Sequence, residues 1–303
     1  MKINSTPLKQ WREEANLSQT DIAEKLNISQ QKVSKIEKGY KDVTIWEFAS
    51  IAQVVGQPTE NFWMLYLDTD EYEAYRKYRE LNLLLRSNSR LDEARKFLPY
   101  FEKTKLAKEP FIKQFIAYAH VVTNEDLTAE QAIIDLEKII KMTMKDYNET
   151  EVINKRMTYH EILIVTEIAF KLYDLKEYDR SIELIKAILK GRENAKTTED
   201  DRRILFPSLT YTLAGFLRKA GRIEEALSTS FEALKLEKKY STYGNTPWLH
   251  YNIACCQRIL KEEVYVYKSH LEQAYYCARA HGDNESAAII KKDAEENFGI
   301  LIQ

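Results

Sequence analysis

The stretch LSQTDIAEKLNISQQKVSKIEKG, residues 17–39, contains two short helical patterns separated by a turn. Ser18 precedes Asp21 by three residues, which is the spacing of a capping box in which Asp replaces Glu or Gln. This box predicts a helix over residues 19–26. Ser29 is a suitable N-cap for a second helix, since its hydroxyl can accept a hydrogen bond from a free backbone N–H. The stretch therefore predicts two helices joined by a tight turn.

The second helix, predicted over residues 30–38 and ended by Gly39, has little apolar surface. Val33 and Ile36 define the side that faces a core. The polar residues left on or near the opposite side are Gln30, Gln31, Lys32, Ser34 and Lys35. Glutamine offers a donor and an acceptor together, which matches adenine in the major groove, whereas lysine suits guanine or phosphate. This polar side indicates DNA as a partner.

Two further helical patterns flank this stretch and complete a small core. One begins at Pro7 and runs to about residue 14, and the other spans about residues 45–55. Their apolar residues with core spacing are Leu8, Trp11, Ala15, Phe48, Ile51, Ala52 and Val55. We therefore expect a helical domain over residues 1–66.

The pattern resembles the helix-turn-helix of the Xre/Cro/cI repressor class over roughly residues 5–66. The Ser-Gln opening, the alanine of the first helix and the segment VSKIEKG stand at the family spacing. Asn27 replaces the usual turn glycine and tolerates the left-handed conformation. The resemblance implies that Arg12 and Gln19 contact DNA phosphates. It also implies contacts to bases or nearby phosphates from Ser29, Gln30, Gln31, Lys32, Ser34, Lys35 and Lys38. The alternative is a solvated helix face in a domain that does not bind DNA.

The composition predicts an all-α protein. Among 303 residues there are only 8 Gly and 6 Pro, too few for a fold rich in turns and hairpins. The length suits two domains. The formal net charge of −2 gives no global bias towards nucleic acid, but a local lysine patch formed by Lys32, Lys35, Lys38 and Lys41 can attract phosphate.

The chain has three cysteines, Cys255, Cys256 and Cys277, and no apolar leader at its N-terminus. An odd count without a leader favours a reducing compartment and no disulfide framework. We therefore expect a soluble, cytoplasmic protein with no membrane association. Thiol sensing by these cysteines remains an alternative.

Residues 67–303 contain successive pairs of helical patterns with a small residue in the second helix of each pair. These small residues are Ala94, Ala132, Ser181, Ala226 and Ala274. Small residues let paired helices approach closely, and one pair cannot bury its apolar faces alone. We therefore expect an all-α chain in which the N-terminal domain is followed by about five stacked helix pairs.

The segment LAGFLRKAGRIEEALSTSFEAL, residues 213–234, resembles a tetratricopeptide repeat. The resemblance implies a right-handed superhelix whose inner wall, formed mainly by the first helix of each pair, suits an extended peptide. Repeat register places Gly215, Trp248 and Cys255 on this wall. The tentative peptide contacts there are Phe170, Tyr173, Tyr211, Arg218, Tyr251, Asn252 and Arg258. An asparagine can hold a peptide backbone, and an arginine can bind a carboxylate with two hydrogen bonds. The alternative is that the aromatic residues form repeat core.

The combination resembles the Rgg/PlcR/PrgX group of regulators. The resemblance implies a homodimer that binds double-stranded operator DNA through residues 1–66 and a short signalling peptide through residues 67–303, without a cofactor. Two alternatives remain: the repeats bind a protein partner, or they act only as a dimerisation scaffold.

An enzyme is not expected. His160-Glu161 begins like a zinc-protease motif, but Ile164 stands where the second histidine is required. The five histidines are scattered, and we find no phosphate-binding glycine loop. We therefore predict neither catalytic residues nor a metal site.

Overall fold

The computed structural model describes residues 6–39, 44–57, 69–85, 90–154, 157–191 and 198–302. These residues form fifteen α-helices and short 3-10 helices, so the predicted all-α fold is confirmed for this part of the chain. The chain divides into two compact units, Met1–Thr123 (unit 1) and Asn124–Gln303 (unit 2). The predicted domain boundary between residues 66 and 67 lies outside the described residues.

Unit 1 contains the first seven of the described α-helices. They are α1 (Thr6–Glu14), α2 (Gln19–Leu26), α3 (Gln30–Glu37), α4 (Ile45–Val54), α5 (Thr69–Leu85), α6 (Leu91–Glu102) and α7 (Pro110–Val122). Helices α1 to α4 bury one common core around Trp11 and Phe48, with Leu8, Ile22, Val33, Ile36, Ile51 and Ala52. The predicted core residues of these four helices are therefore confirmed.

The predicted local signals at α2 and α3 are present. Ser18 and Asp21 form the capping box of α2, and the Ser29 hydroxyl accepts a hydrogen bond from the Lys32 N–H at 3.2 Å. Asn27 ends α2 in the left-handed conformation, with φ of 52°. Gly39 follows α3 with φ of 67°. These local contacts define where α2 and α3 begin and end, and they shape the turn between the two helices.

Helix α5 belongs to two cores of unit 1. At its start Tyr72 is buried in the α1–α4 core, with its ring 6.4 Å from that of Trp11 in an edge contact. Two turns later the ring of Tyr78 lies 6.3 Å from Phe101 of α6 and 5.3 Å from Phe115 of α7. Helix α5 thus packs against the core of α1 to α4 at its start and against α6 and α7 further along.

Unit 2 contains the remaining eight described α-helices. They are α8 (Ala129–Ile140), α9 (Tyr159–Asp174), α10 (Tyr178–Lys190), α11 (Glu199–Lys219), α12 (Ile223–Tyr240), α13 (Thr246–Ile259), α14 (Val264–Ala280) and α15 (Asn284–Phe298). Three predicted pairs are present as α9 with α10, α11 with α12 and α13 with α14. The predicted pair of α7 with α8 spans the division between the units, and α8 packs against α9.

The small residues predicted at the centres of the pairs are all buried. Each is at most 1% exposed, and the set is Ala94, Ala132, Ser181, Ala226 and Ala274. The Ser181 hydroxyl also donates to the Ala169 carbonyl of the facing helix at 2.8 Å. Close approach of the helices therefore depends on these positions, because a larger side chain would have no space.

The turns inside the three pairs of unit 2 share one backbone feature. Lys176, Gly221 and Lys261 stand at equivalent places between the paired helices, with φ of 64°, 80° and 59°. Such angles suit glycine and are strained for lysine. The three turns therefore share one backbone conformation, even though the residue at this position is lysine in two of them and glycine in the third.

Among the described residues, no helix is both long enough and apolar enough to cross a membrane.

Candidate functional site

The outward side of α3 is polar and accessible. Gln30, Gln31 and Lys35 are exposed, and Ser34 is half-buried at the edge of the same side. The opposite side is anchored by Val33 and Ile36, which are 2% and 1% exposed. The structure thus brings the predicted base-contacting residues of α3 onto one surface, which we call the α3 face.

Arg12 does not lie on this face, because it is buried against Glu37 at the end of α3. Its Nε donates to one Glu37 carboxylate oxygen at 2.6 Å and its Nη2 to the other at 3.1 Å, while Nη1 donates to the Leu17 carbonyl at 2.8 Å. The Glu37 hydrogen bonds raise the pKa of Arg12. The guanidinium thus links α1 to α3 and is not free to bind a DNA phosphate.

Gln19 continues this network to the α3 face. Its Nε2 donates to Glu37 at 2.8 Å, and its Oε1 accepts from the Gln30 amide at 2.7 Å. The Glu37 side chain is only 6% exposed. A chain of hydrogen bonds therefore runs from buried Arg12 to exposed Gln30 and fixes the orientation of the Gln30 amide.

The lysines of the patch differ in their partners. Lys32 forms an ion pair with Glu47 of α4 at 2.7 Å. Lys35 and Lys38 are exposed and have no ion-pair partner in the described part of the chain. Lys41 lies outside the described residues. Glu37 and Glu47, the two carboxylates that organise this region, were not assigned roles from the sequence because their partners are distant in the chain or on other helices.

In unit 2, the predicted peptide contacts begin with an aromatic cluster between α9 and α11. The Tyr173 ring stacks on Phe216 at 4.3 Å with an angle of 12°, and Phe170 meets the same ring edge-on at 5.4 Å. Phe170 is 38% exposed, whereas Phe216 is 5% exposed. Phe216 was not singled out from the sequence. It is the buried ring against which Phe170 and Tyr173 pack.

Arg218 and Asn252 are brought together across α11 and α13. The Arg218 Nε donates to the Asn252 Oδ1, and the Asn252 amide donates to the Ser230 hydroxyl at 2.9 Å. Asn252 is 4% exposed, whereas Arg218 is half-exposed and has no carboxylate partner among the residues described. Asn252 thus holds the guanidinium of Arg218, whose remaining N–H groups have no hydrogen-bond partner in the part of the chain that the structure describes.

The other predicted contacts lie on the same helices or beside them. Tyr211 is half-buried one helical turn before Gly215, and burial raises its pKa. The Tyr251 hydroxyl donates to Asp293 of α15 at 2.8 Å. We call the partly exposed surface that includes Phe170, Tyr173, Tyr211, Gly215, Arg218 and Tyr251 the α9–α11–α13 wall.

Arg258 is exposed and its guanidinium lies 4.7 Å from the centre of the Phe298 ring. Phe298, like Asp293, belongs to α15, which follows the last predicted pair. The sequence analysis assigned no role to this helix, so both residues were missed. The regular spacing of Ala287, Ile290 and Ala294, now seen to be buried, was the available signal.

Burial shifts the pKa of all three cysteines and of His160. Cys255, Cys256 and Cys277 are free thiols, and burial raises the pKa of each, that of Cys256 to about 12. Burial also lowers the pKa of His160 to about 4. No group of three or more His, Cys, Asp or Glu among these residues is placed to hold a metal ion.

The N-terminal helices match a known protein family. The helix-turn-helix family model matches residues 8–60, which include most of α1 and all of α2 to α4. The chain carries an Xre-type helix-turn-helix domain. Ser18, Asn27 and Ser29, which shape the turn, and the α3 face all lie inside the matched residues. The sequence has no match among curated proteins.

Nearly the whole chain is similar to solved structures of two proteins that were determined with a peptide and DNA. Bacillus thuringiensis PlcR in complex with the peptide PapR7 and DNA has a TM-score of 0.63 and 19% identity, over 96% of this chain and 99% of PlcR. ComR from S. thermophilus, in complex with DNA and its signalling peptide, has a TM-score of 0.56 and 18% identity, over 98% and 99%. Apo PlcR has a TM-score of 0.61 and 17% identity, over 94% and 97%. The chain shares their fold, an Xre-type domain followed by tetratricopeptide-like helix pairs.

Proposed function

We propose that this protein is a cytoplasmic, homodimeric transcription regulator that binds operator DNA through the α3 face and a short signalling peptide through the α9–α11–α13 wall. The observation that carries the peptide assignment is Arg218, a partly exposed guanidinium without a carboxylate partner among the described residues, whose charge acts on Tyr173 and Tyr211. The fold shared with PlcR and ComR supports the same assignment, since those two proteins were solved with peptide and DNA.

For DNA, the α3 face supplies the groups that the major groove requires. Gln30 and Gln31 each offer a donor and an acceptor to base edges, and Lys35 offers a positive charge to guanine or phosphate. We assign Lys38, Ser29 and Ser34 to contacts beside these. Lys32 contacts phosphate in exchange for, or together with, its ion pair with Glu47.

We assign Arg12 and Gln19 a positioning role. Because the Arg12 side chain is 10% exposed and its guanidinium is bound to Glu37, Arg12 acts on DNA through the chain of hydrogen bonds that ends at Gln30. Gln19 is half-buried at the middle of that chain, so it orients Gln30 and can also reach a phosphate. A preoriented amide loses less entropy when it binds a base.

For the peptide, Arg218 binds a carboxylate, either the C-terminus or an acidic side chain. Burial of Asn252 and its bond to Ser230 keep the guanidinium in place, so Asn252 supports the ligand contact from behind. Phe170, Tyr173, Tyr211 and Tyr251 provide apolar surface with polar edges on either side. Arg258, stacked on Phe298, provides a second cation further along α13.

Regulation requires that the peptide binds two states of the protein with different affinity. A coupling of about 1–3 kcal/mol between peptide and operator is the usual scale for such systems. The rival function is a regulator whose repeats bind a protein partner. A protein partner would be absent from a low-molecular-weight extract, whereas a short peptide would be present in it and would be destroyed by protease.

The test is the melting temperature of the full-length protein in a low-molecular-weight extract of the host's culture medium. A ligand at about 100 times its Kd adds ~2.7 kcal/mol, which raises the midpoint by several degrees. We expect a rise that protease treatment of the extract abolishes and that Arg218→Gln reduces. Arg279→Gln, on the exposed side of α14, is the matched control and should keep the rise. Operator binding without any rise would contradict a peptide ligand and favour a protein partner.

A further inference from the structure

Gly215 is in the interior of α11, where glycine is the least favourable residue apart from proline. It is half-buried, and Tyr211 and Arg218 stand four residues before and three residues after it. Residues at these spacings share one side of a helix. Gly215 therefore lies on the α9–α11–α13 wall between two residues assigned to the peptide.

The usual structural reasons for a glycine do not apply at this position. Its φ is not in the left-handed region, and a Cβ built on it meets no atom within 4 Å. No neighbouring backbone approaches it, so alanine would fit without a clash and would favour the helix. The feature that glycine provides here is the open space itself.

We propose that Gly215 determines peptide specificity: its missing side chain leaves a notch in the wall that receives a large apolar side chain of the peptide. The inference rests on the proposed peptide-binding function and names the residue that selects the ligand. Tyr211 stands one helical turn before the notch, on the same side of α11. After the notch, Arg218 is turned towards Asn252 of α13, which packs beside α11. An aromatic residue therefore stands one turn before the notch, while the charge that binds a carboxylate lies about one turn after it.

The experiment uses immobilised full-length protein and a random library of heptapeptides with free C-termini, from which bound peptides are sequenced. We expect the wild type to enrich peptides with a large aliphatic or aromatic residue at one fixed position. Gly215→Ala should shift this preference to a smaller residue, and Gly215→Leu should weaken the best wild-type peptide at least roughly tenfold, the scale of one methylene in an apolar pocket. Gly244→Ala, which also adds a methyl group into open space but lies between α12 and α13, should change neither.

Stability separates this role from a structural one. Gly215→Ala should raise the Tm by about 2–4 °C, because the helix gains a better residue, while its peptide preference changes. The same enriched peptides and the same affinities in wild type and both variants would overturn the role of Gly215 and leave peptide binding intact. If the wild type enriches no peptide, the proposed peptide function fails and the specificity assignment fails with it.

Discussion

Arg12 is a residue whose position in the sequence and whose environment in the fold suggest different roles. Its place in α1 matches a phosphate contact in the helix-turn-helix class, yet its side chain is 10% exposed and bound to the Glu37 side chain, which is 6% exposed. Breaking such a pair leaves one charge buried without a partner, which is more costly than losing the pair itself. The effect of Arg12 on DNA binding should therefore arise through the stability of the domain and through the hydrogen bonds that orient Gln30.

Arg12→Ala should destabilise the domain by roughly 3–5 kcal/mol, because the Glu37 carboxylate loses its bidentate partner. Denaturant unfolding of the full-length protein measures the change. Lys9→Ala is the control. It removes an exposed ion pair with Glu13 at 3.8 Å and should change stability by at most about 0.5 kcal/mol. Unchanged stability of Arg12→Ala would contradict the predicted cost of leaving the Glu37 carboxylate without its partner.

The α3 face predicts a difference between two single substitutions. Gln31→Ala should weaken operator binding by roughly 1–3 kcal/mol and relax preference at one base pair, because Gln31 is exposed and offers its amide to a base edge. Lys38→Ala should weaken operator and random DNA alike and lower the salt dependence by about one ion. Fluorescence anisotropy on both DNAs measures this. Equal losses on the two DNAs for Gln31→Ala would exclude base contact.

His160 predicts a pH dependence of stability. Burial lowers its pKa in the folded state to about 4, although the charge of Asp201 acts in the opposite direction. Since the unfolded value is about 6.5, the folded protein binds fewer protons, and stability decreases as the pH falls from about 6.5 to about 4. The loss at pH 4 is about 3 kcal/mol. In unfolding experiments over this range, His160→Gln should flatten the dependence and exposed His281→Gln should not.

At the scale of elements, the signals that lie close together in the chain were predictable. The caps at Ser18 and Ser29 and the small residues of the helix pairs depend on neighbours or on helical spacing, and both were found. The contacts of Glu37, Phe216 and Asp293 join different helices, so no local pattern contains them. The sequence thus predicted which residues share a helix face, whereas only the packing shows which side chains hold the others in place.

The left-handed turns of unit 2 offer a prediction about elements. Lys261, with φ of 59°, occupies the place that Gly221 occupies in the preceding pair. Lys261→Gly should stabilise the protein by roughly 0.5–1 kcal/mol, because relief of strain exceeds the added entropy of the unfolded chain. Gly221→Ala should destabilise it by a similar amount. Thermal unfolding of both variants checks the signs, and a loss of stability for Lys261→Gly would show that its side chain contributes more than the strain costs.

At the scale of the whole molecule, the proposed homodimer sets the geometry of the operator. Dimeric helix-turn-helix proteins contact half-sites about 34–36 Å apart or a multiple of that distance, which places both on one side of the duplex. Inserting about five base pairs between the half-sites turns one of them to the far side and should weaken binding at least roughly tenfold. Changing the same number of spacer bases without insertion is the control. Equal affinity for both operators would indicate that each DNA-binding domain acts alone.

The position of Tyr72 has a consequence for how this architecture can be recombined. Because the tyrosine of α5 fills the core beneath Trp11, the DNA-binding module does not end where its family match ends. A chimera cut near residue 66 would pair that core with a foreign helix. One cut after α5 would keep the core intact and transfer the mismatch to the surfaces of α6 and α7. When operator specificity is exchanged between proteins of this architecture, in the laboratory or in evolution, we therefore expect the exchanged segment to include α5.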